Sequence, residues 1–177
     1  MREVEKYEII YSDPQKYGPY GHKSHGDQYF DEIMKYDSVL DVGCGHNELM
    51  NKCRLVKPDG FFAGMDIACE SADVVGDFMT IGTGRVQLVT AFDVLEHIPT
   101  GNVDHILRKM SHMSDDFMFT ISFRDDLYRV NGEMTHLTIK SWPWWRNKIL
   151  EYAKTCEVVA NTVDGIEIDG YFRGVWR

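Results

Sequence analysis

The 177-residue sequence contains no apolar run long enough to span a bilayer, so no membrane partner is expected. The opening residues, Met-Arg-Glu-Val-Glu-Lys, are charged, and no secretion-type apolar stretch follows them. Its four cysteines, Cys44, Cys53, Cys69 and Cys156, form no C-x-x-C pair. They read as reduced thiols of a cytoplasmic protein and not as a disulfide framework or zinc knuckle. His22 and His25 make an H-x-x-H pair without a third ligand close in sequence, so no metal site is predicted. Basic charge is also short: 19 Lys and Arg face 28 Asp and Glu, for a net charge of −9. Without a basic stripe, nucleic acid is an unlikely partner class. Repeats, low-complexity tracts and linkers are missing too, and the length suits one domain with a full core.

What is present centres on Ser38-Val-Leu-Asp-Val-Gly-Cys-Gly-His-Asn47. Val39 to Val42 read as a buried strand. Gly43 and Gly45 permit a tight turn with close backbone approach to a ligand, and Glu48-Leu-Met50 can open a helix. A strand, a glycine turn and a helix N-terminus form a cradle for a nucleotide-like cofactor. Phe61 to Ile67 form a second strand that delivers Asp66 about twenty residues beyond the turn, where a carboxylate accepts hydrogen bonds from ribose hydroxyls. Ala72 to Val75 form a short third strand, and Arg85 to Phe92 a fourth. Only Ala68 to Ser71 separate strands two and three, whereas a parallel crossover usually needs at least ~10 residues. The intervening helix is therefore expected to be lost.

Residues 1 to 26 interleave Tyr7, Tyr11, Tyr17 and Tyr20 with Pro14, Pro19 and several glycines, and cannot be one long helix. They read as an aromatic arm, either packed on the core or closing over a cofactor as a lid. Asp27 to Tyr36 has the spacing of a short helix. Thr100 is placed to cap a helix whose stripe is Val103, Ile106, Leu107 and Met110. Phe117 to Phe123 form strand five, followed by a polar loop from Arg124 to Thr135. Trp144, Trp145, Ile149 and Tyr152 read as core anchors of a later helix. Cys156 to Val163 and Ile166 to Trp176 are two β-runs joined at Asp164-Gly165, a hairpin signal.

Asp41, two residues before Gly43, resembles the acidic residue of motif I in class I S-adenosylmethionine-dependent methyltransferases. Phe92-Asp-Val-Leu-Glu-His97 resembles the phrase after strand four in the small-molecule members. Tyr20-Gly-His-Lys-Ser-His-Gly26, Asp66-Ile-Ala-Cys-Glu-Ser-Ala-Asp73 and His136 with Trp144-Trp145 are similar to a small phage and bacterial group. For a phage protein the compartment would be the host cytoplasm. The resemblance implies an α/β, three-layer, Rossmann-like sheet over residues 27–177, mostly parallel with an antiparallel C-terminal hairpin and trimmed around strands two to four. It implies S-adenosyl-L-methionine as cofactor, held by Asp41, Gly43, Cys44, Gly45, Asp66, Ile67, Asp77, Phe78 and Phe92, with Tyr20 and His25 added by the arm. Asp77 would face the adenine amino group. His97, His136 and Asp93 are the catalytic candidates, the histidines as bases for a hydroxyl.

The expected activity is methyl transfer to oxygen or nitrogen of a small-molecule acceptor. The alternative is a binding module without turnover, acting as a partner or regulatory protein. A nicotinamide oxidoreductase is disfavoured by Asp41 and by the terminal hairpin.

Overall fold

A computed structural model describes residues 2–17, 25–82, 84–125 and 129–177. Two short helices, α1 (Glu3–Ser12) and α2 (Pro14–Tyr17), precede a 3₁₀ turn at His25–Tyr29 and α3 (Phe30–Ile33). Then come β1 (Ser38–Val42), α4 (Glu48–Val56), β2 (Phe61–Asp66), β3 (Val74–Val75) and β4 (Val86–Phe92). After two 3₁₀ turns follow α5 (Val103–Met113), β5 (Ser114–Ser122), β6 (Arg129–Val130), β7 (Glu133–Met134), α6 (Trp142–Leu150), β8 (Glu157–Val163) and β9 (Ile166–Val175).

Seven strands form one sheet in the order β3-β2-β1-β4-β5-β9-β8. The first five run parallel, while β9 is antiparallel to β5 and to β8. The order reverses between β1 and β4, the place where open α/β sheets leave a crevice at their carboxyl ends.

The strand pleat sorts the core into two layers. Leu40, Val89, Phe117, Phe119 and Ile121 point towards α5 and α6, where Ile106, Leu107, Met110, Trp145 and Ile149 meet them. Val39, Leu88, Met118 and Phe62 point the other way, onto Ile33 of α3 and Leu49, Met50 and Cys53 of α4. Each fully buried side chain of this kind contributes about 1.5–3 kcal/mol. The burial along the strands agrees: β1, β4 and β5 are buried on both faces, as parallel strands flanked by helices are.

The helix between β2 and β3 is lost, as the short spacing predicts. Polar bonds hold that connection instead. The Asp73 carboxylate accepts from the Gly64 N–H at 2.8 Å, Asn47 Nδ2 at 2.9 Å and Arg54 Nη1 at 2.8 Å. Burial opposes ionisation there, yet the bonds from Arg54, Gly64 and Asn47 hold the carboxyl below its ordinary range.

Three expectations change. The stretch from Asp27 to Tyr36 divides into a 3₁₀ turn and one α-turn. Thr100 does not cap α5; its hydroxyl instead meets that of Thr138 at 2.9 Å, and α5 begins after Asn102. The loop after β5 is not plain loop, because Asn131 and Gly132 take positive φ and turn β6 back onto β7.

The terminal hairpin turns on Asp164 (φ 53°) and Gly165 (φ 79°), the two left-handed residues that a type I′ turn needs. A Cβ at Gly165 would meet nothing within 4 Å. Gly165→Ala therefore tests backbone strain alone. It should destabilise the fold by about 1 kcal/mol. A urea titration with an unchanged slope and an unchanged midpoint would contradict this account.

Candidate functional site

Gly43 and Gly45 sit at φ 76° and 54°, and Asn47 at 62°, so the chain after β1 curls through three left-handed residues before α4 starts. The N–H groups of Gly43 and Cys44 both donate to the Met65 carbonyl, at 2.8 and 3.0 Å. This fastens the glycine turn to the end of β2. Asp66, the next residue, completes the fastening. Its Oδ2 accepts the Gly45 N–H at 3.1 Å, and its Oδ1 accepts the N–H groups of Ala68 and Cys69 at 3.0 and 2.9 Å. The Tyr11 hydroxyl donates to the same Oδ2 at 3.1 Å.

Asp41 lies one turn of the pleat beneath. It is buried, and its Oδ1 accepts the Thr90 hydroxyl at 2.7 Å. Burial pushes its carboxyl up to about 7; the Thr90 bond works against that and the nearby Asp66 charge adds to it. Burial raises the thiols of Cys44 and Cys69, and takes Cys53 and Cys156 up to about 11 and about 12.

Asp77 closes a turn after β3, its Oδ1 accepting the Met79 N–H at 2.8 Å. Phe78 is buried, and Lys109 of α5 stands 4.6 Å from its ring centroid while donating to the Phe78 carbonyl. Asp93 takes a left-handed φ of 55° at the exit of β4. It is clamped to β5: its N–H donates to Thr120, whose hydroxyl returns a bond to Asp93 Oδ1 at 2.8 Å.

A 3₁₀ turn at Leu95–His97 follows. His97 Nδ1 lies 3.0 Å from the Thr135 carbonyl, and His136 Nδ1 lies 2.7 Å from the Arg124 carbonyl. A carbonyl only accepts, so each Nδ1 carries a proton, and the neutral form of each ring has its lone pair on Nε2. The two rings meet edge to face with centroids 4.7 Å apart. Glu96 braces the pair from below. Its carbonyl accepts the N–H groups of Leu137 and Thr138 at 2.7 and 2.9 Å, and its Oε1 accepts the Ser122 N–H at 2.9 Å.

A cavity of about 210 Å³ opens along the carboxyl edges of β1 to β4. Gly43, Asp66, Ile67, Asp77, Phe78, Asp93 and His97 line it. Glu3, Tyr7 and Tyr11 of α1 line it as well. That helix is seated on the β6–β7 hairpin by Ile10, Tyr17 and Val130 and by buried Lys6, whose ammonium donates to the Met134 carbonyl at 2.9 Å. The Tyr7 ring stands edge-on to His97, with centroids 5.9 Å apart.

The structure thus brings together most of the residues singled out in the sequence. His136 stands behind His97 and does not line the cavity. Phe92 departs further: it is packed on the α3–α4 side of the sheet, stacked 6.0 Å from Tyr29, so its side chain belongs to the core and not to the cavity wall. Asp41, Cys44 and Gly45 support the turn from outside the cavity lining. Tyr20 and the side chain of His25 lie outside the described residues. Sequence reasoning named Tyr7 and Tyr11 within the arm, and missed Glu3 as wall, Thr90 and Thr120 as partners, and Glu96 as brace. Asn131-Gly132 was the available signal for the hairpin that seats α1.

The buried Asp41 gives a sign that can be checked. Its folded carboxyl titrates near 7 and an unperturbed one near 3.8. The folded chain therefore keeps a proton that the unfolded chain releases between those values. Asp41's share of stability is complete below about pH 4 and is lost as pH rises through about 7. Asp41→Asn keeps an acceptor for Thr90 and cannot ionise. Its melting temperature should match wild type near about pH 4 and exceed it at about pH 8. Parallel melting curves for the two proteins across that range would contradict the assignment.

Known proteins can now be set beside this geometry. A family model described as a methyltransferase domain matches residues 14–153. No curated protein matches the sequence significantly. Among solved structures, magnesium protoporphyrin IX methyltransferase from Synechocystis PCC 6803 with bound SAH superposes with a TM-score of 0.62 at 15% identity, covering 99% of this chain and 94% of that one. Human N-acetylserotonin methyltransferase in complex with SAM gives 0.63 at 12% identity, covering 99% of this chain and 57% of that one. A chain of the Pnkp1/Rnl/Hen1 RNA repair complex gives 0.59 at 14% identity, over 88% of this chain and 41% of that one. With the family model spanning most of its length and these structures superposing on its mostly parallel sheet, the chain belongs to the methyltransferase-domain family and has the Rossmann-like class I fold.

Proposed function

We propose that this protein transfers the methyl group of S-adenosyl-L-methionine to oxygen or nitrogen of a small-molecule acceptor. The observation that carries the reading is the cavity itself: the Gly43 turn, Asp66 and Asp77 on one wall, His97 on the other. Neighbours of this fold that were crystallised with SAM or SAH support the choice of cofactor. Asp66 offers its carboxylate to the ribose, with the Tyr11 hydroxyl standing where a ribose hydroxyl would compete. Asp77 and the Phe78 backbone suit the adenine.

The sulfonium already activates its methyl group. The protein has to align acceptor, methyl carbon and sulfur in line and to exclude water. The acceptor's lone pair then forms the new bond, and the carbon–sulfur pair departs on sulfur. For a hydroxyl acceptor a proton must also leave, and the lone pair on the Nε2 of His97, which lines the cavity with His136 behind it, is suited to take it. Residues 1 to 26 serve in this reading as a lid on the domain of residues 27 to 177. At about 210 Å³ the cavity is smaller than the ~300–1,000 Å³ of ligand pockets, so α1 has to move outward to admit the cofactor.

Calorimetry with SAM and with SAH on the full chain tests the cofactor. A turnover screen over hydroxylated and aminated metabolites tests the acceptor class. Asp66→Ala should weaken SAH binding by at least about tenfold, as for loss of charged hydrogen bonds. Tyr7→Ala combined with Tyr11→Ala should weaken it severalfold, with melting curves recorded beside it to show that the variant is folded at the assay temperature. Wild-type affinity in Asp66→Ala would remove that residue from the site, and wild-type affinity in the tyrosine pair would reduce α1 to packing. Tight SAH binding with no turnover on any acceptor would favour the binding-module alternative, which the missing β2–β3 helix keeps in view.

A further inference from the structure

Glu96, His97 and His136 each present a ligand atom, one carboxylate oxygen and two imidazole nitrogens, and all three lie within 4.8 Å of one another. Glu96 is fully buried, and both histidines are nearly so. The residues come from two segments, the turn after β4 and the extended run before α6. The bonds from Leu137 and Thr138 to the Glu96 carbonyl tie these segments together. The cluster is therefore a product of the fold and not of one flexible loop.

Its orientation is the informative feature. Each imidazole gives its Nδ1 proton to a backbone carbonyl, of Thr135 and of Arg124. Ligating histidines are held in this way, because the outer bond fixes the ring, fixes the tautomer and leaves the lone pair on Nε2. Glu96 is held similarly, with Oε1 on the Ser122 N–H. Ligands about 2.0–2.2 Å from a tetrahedral ion stand ~3.4 Å apart, so atoms that now lie within 4.8 Å of one another need a contraction of at most about 1.4 Å.

We infer that Glu96, His97 and His136 form a binding site for a divalent transition-metal ion at the border of the cavity. Two imidazoles and one carboxylate suit zinc, cobalt, iron or manganese better than magnesium or calcium, which favour all-oxygen shells. Three protein ligands are the set of a catalytic ion, which keeps a position open for water or substrate. His97 lines the cavity, so an ion held there would stand at its border.

The role then follows, and this part rests on the methyl-transfer reading. An acceptor hydroxyl bound to the ion becomes far more acidic and releases its proton to water. The oxygen that remains on the ion uses a lone pair to form the bond to the methyl carbon. The carbon–sulfur bond breaks, and its electron pair stays on sulfur as a neutral thioether. Nothing is oxidised or reduced. The ion does the work that a free imidazole base would otherwise do, and it also orients the acceptor oxygen.

The test uses the full-length protein, stripped with a chelator and titrated with Co²⁺ alone. Visible absorption bands of cobalt with nitrogen ligands should appear and saturate at one ion per chain. His136→Gln and Glu96→Gln should each weaken cobalt binding at least about ten- to a hundredfold, the range seen even for outer partners of ligands. Circular dichroism melts of both variants establish that they fold, and His97→Gln replaces either one that does not. SAH calorimetry on the same samples keeps the two readings apart. Metal binding without SAH binding would leave this site standing and sink the cofactor assignment. The inference is overturned if the wild type gives no saturable cobalt spectrum, or if folded variants bind cobalt as the wild type does.

Discussion

The carboxylate of Asp66 is the constraint on which the rest of this site depends. A glycine turn cannot hold its own shape, since its residues have many accessible conformations and give them up only against fixed partners. Here the partners are the Met65 carbonyl and Asp66. One buried carboxylate gathers N–H groups from the turn, from the loop after β2, and a hydroxyl from α1. Charged acceptors bind such donors about twice as strongly as neutral ones. Three pieces of chain that are far apart in sequence thereby share one anchor. The same atoms face the cavity, so whatever enters competes with Tyr11 for an oxygen that already supports the turn. Binding and local order at this site are consequently coupled.

Position in the sequence revealed the strand ends but not the partners of the side chains they carry. Asp41, Asp66 and Asp77 were legible because each stands where an apolar run stops, and strand ends place residues at one edge of the sheet. Asp41's partner Thr90 was not legible, because the pairing of β1 with β4 crosses a reversal of strand order that local pattern does not encode. Phe92 shows the opposite error. It ends an apolar strand next to the site, but the pleat sends its side chain to the α3–α4 layer, and a one-residue difference decides the face. The arm was legible only as aromatic and broken. Its helix α1 has weak amphipathic character, and what orders it is the β6–β7 hairpin, a contact well over a hundred residues away in the chain.

Glu96 and the two histidines show why a family phrase alone falls short of a site. The run from Phe92 to His97 reads as a motif, yet its consequence comes from the segment around His136, which nothing in the local pattern joins to it. What unites them is backbone bonding: Glu96 gives its carbonyl to Leu137 and Thr138, and Thr138 gives its hydroxyl to the Ile98 carbonyl at 2.6 Å. The imidazoles are consequently held by main-chain atoms that no side-chain substitution removes directly.

The shortened β2–β3 connection bears on how much of the fold the site requires. A crossover helix would normally cover that flank and supply apolar contacts to the sheet. In its place Asp73 draws in Gly64, Asn47 and Arg54. Asn47 belongs to the glycine turn, so the staple that replaces the helix also grips the turn from its far side, opposite Asp66. The loss therefore falls on sheet coverage, where Val74 and Val75 remain exposed, and not on the turn. With β1, β4 and β5 buried on both faces, rigidity resides in the centre of the sheet, beneath Gly43, Asp93 and His97. The flank can be trimmed because the cavity is built from central strand ends and from two carboxylates that clamp the turn between them.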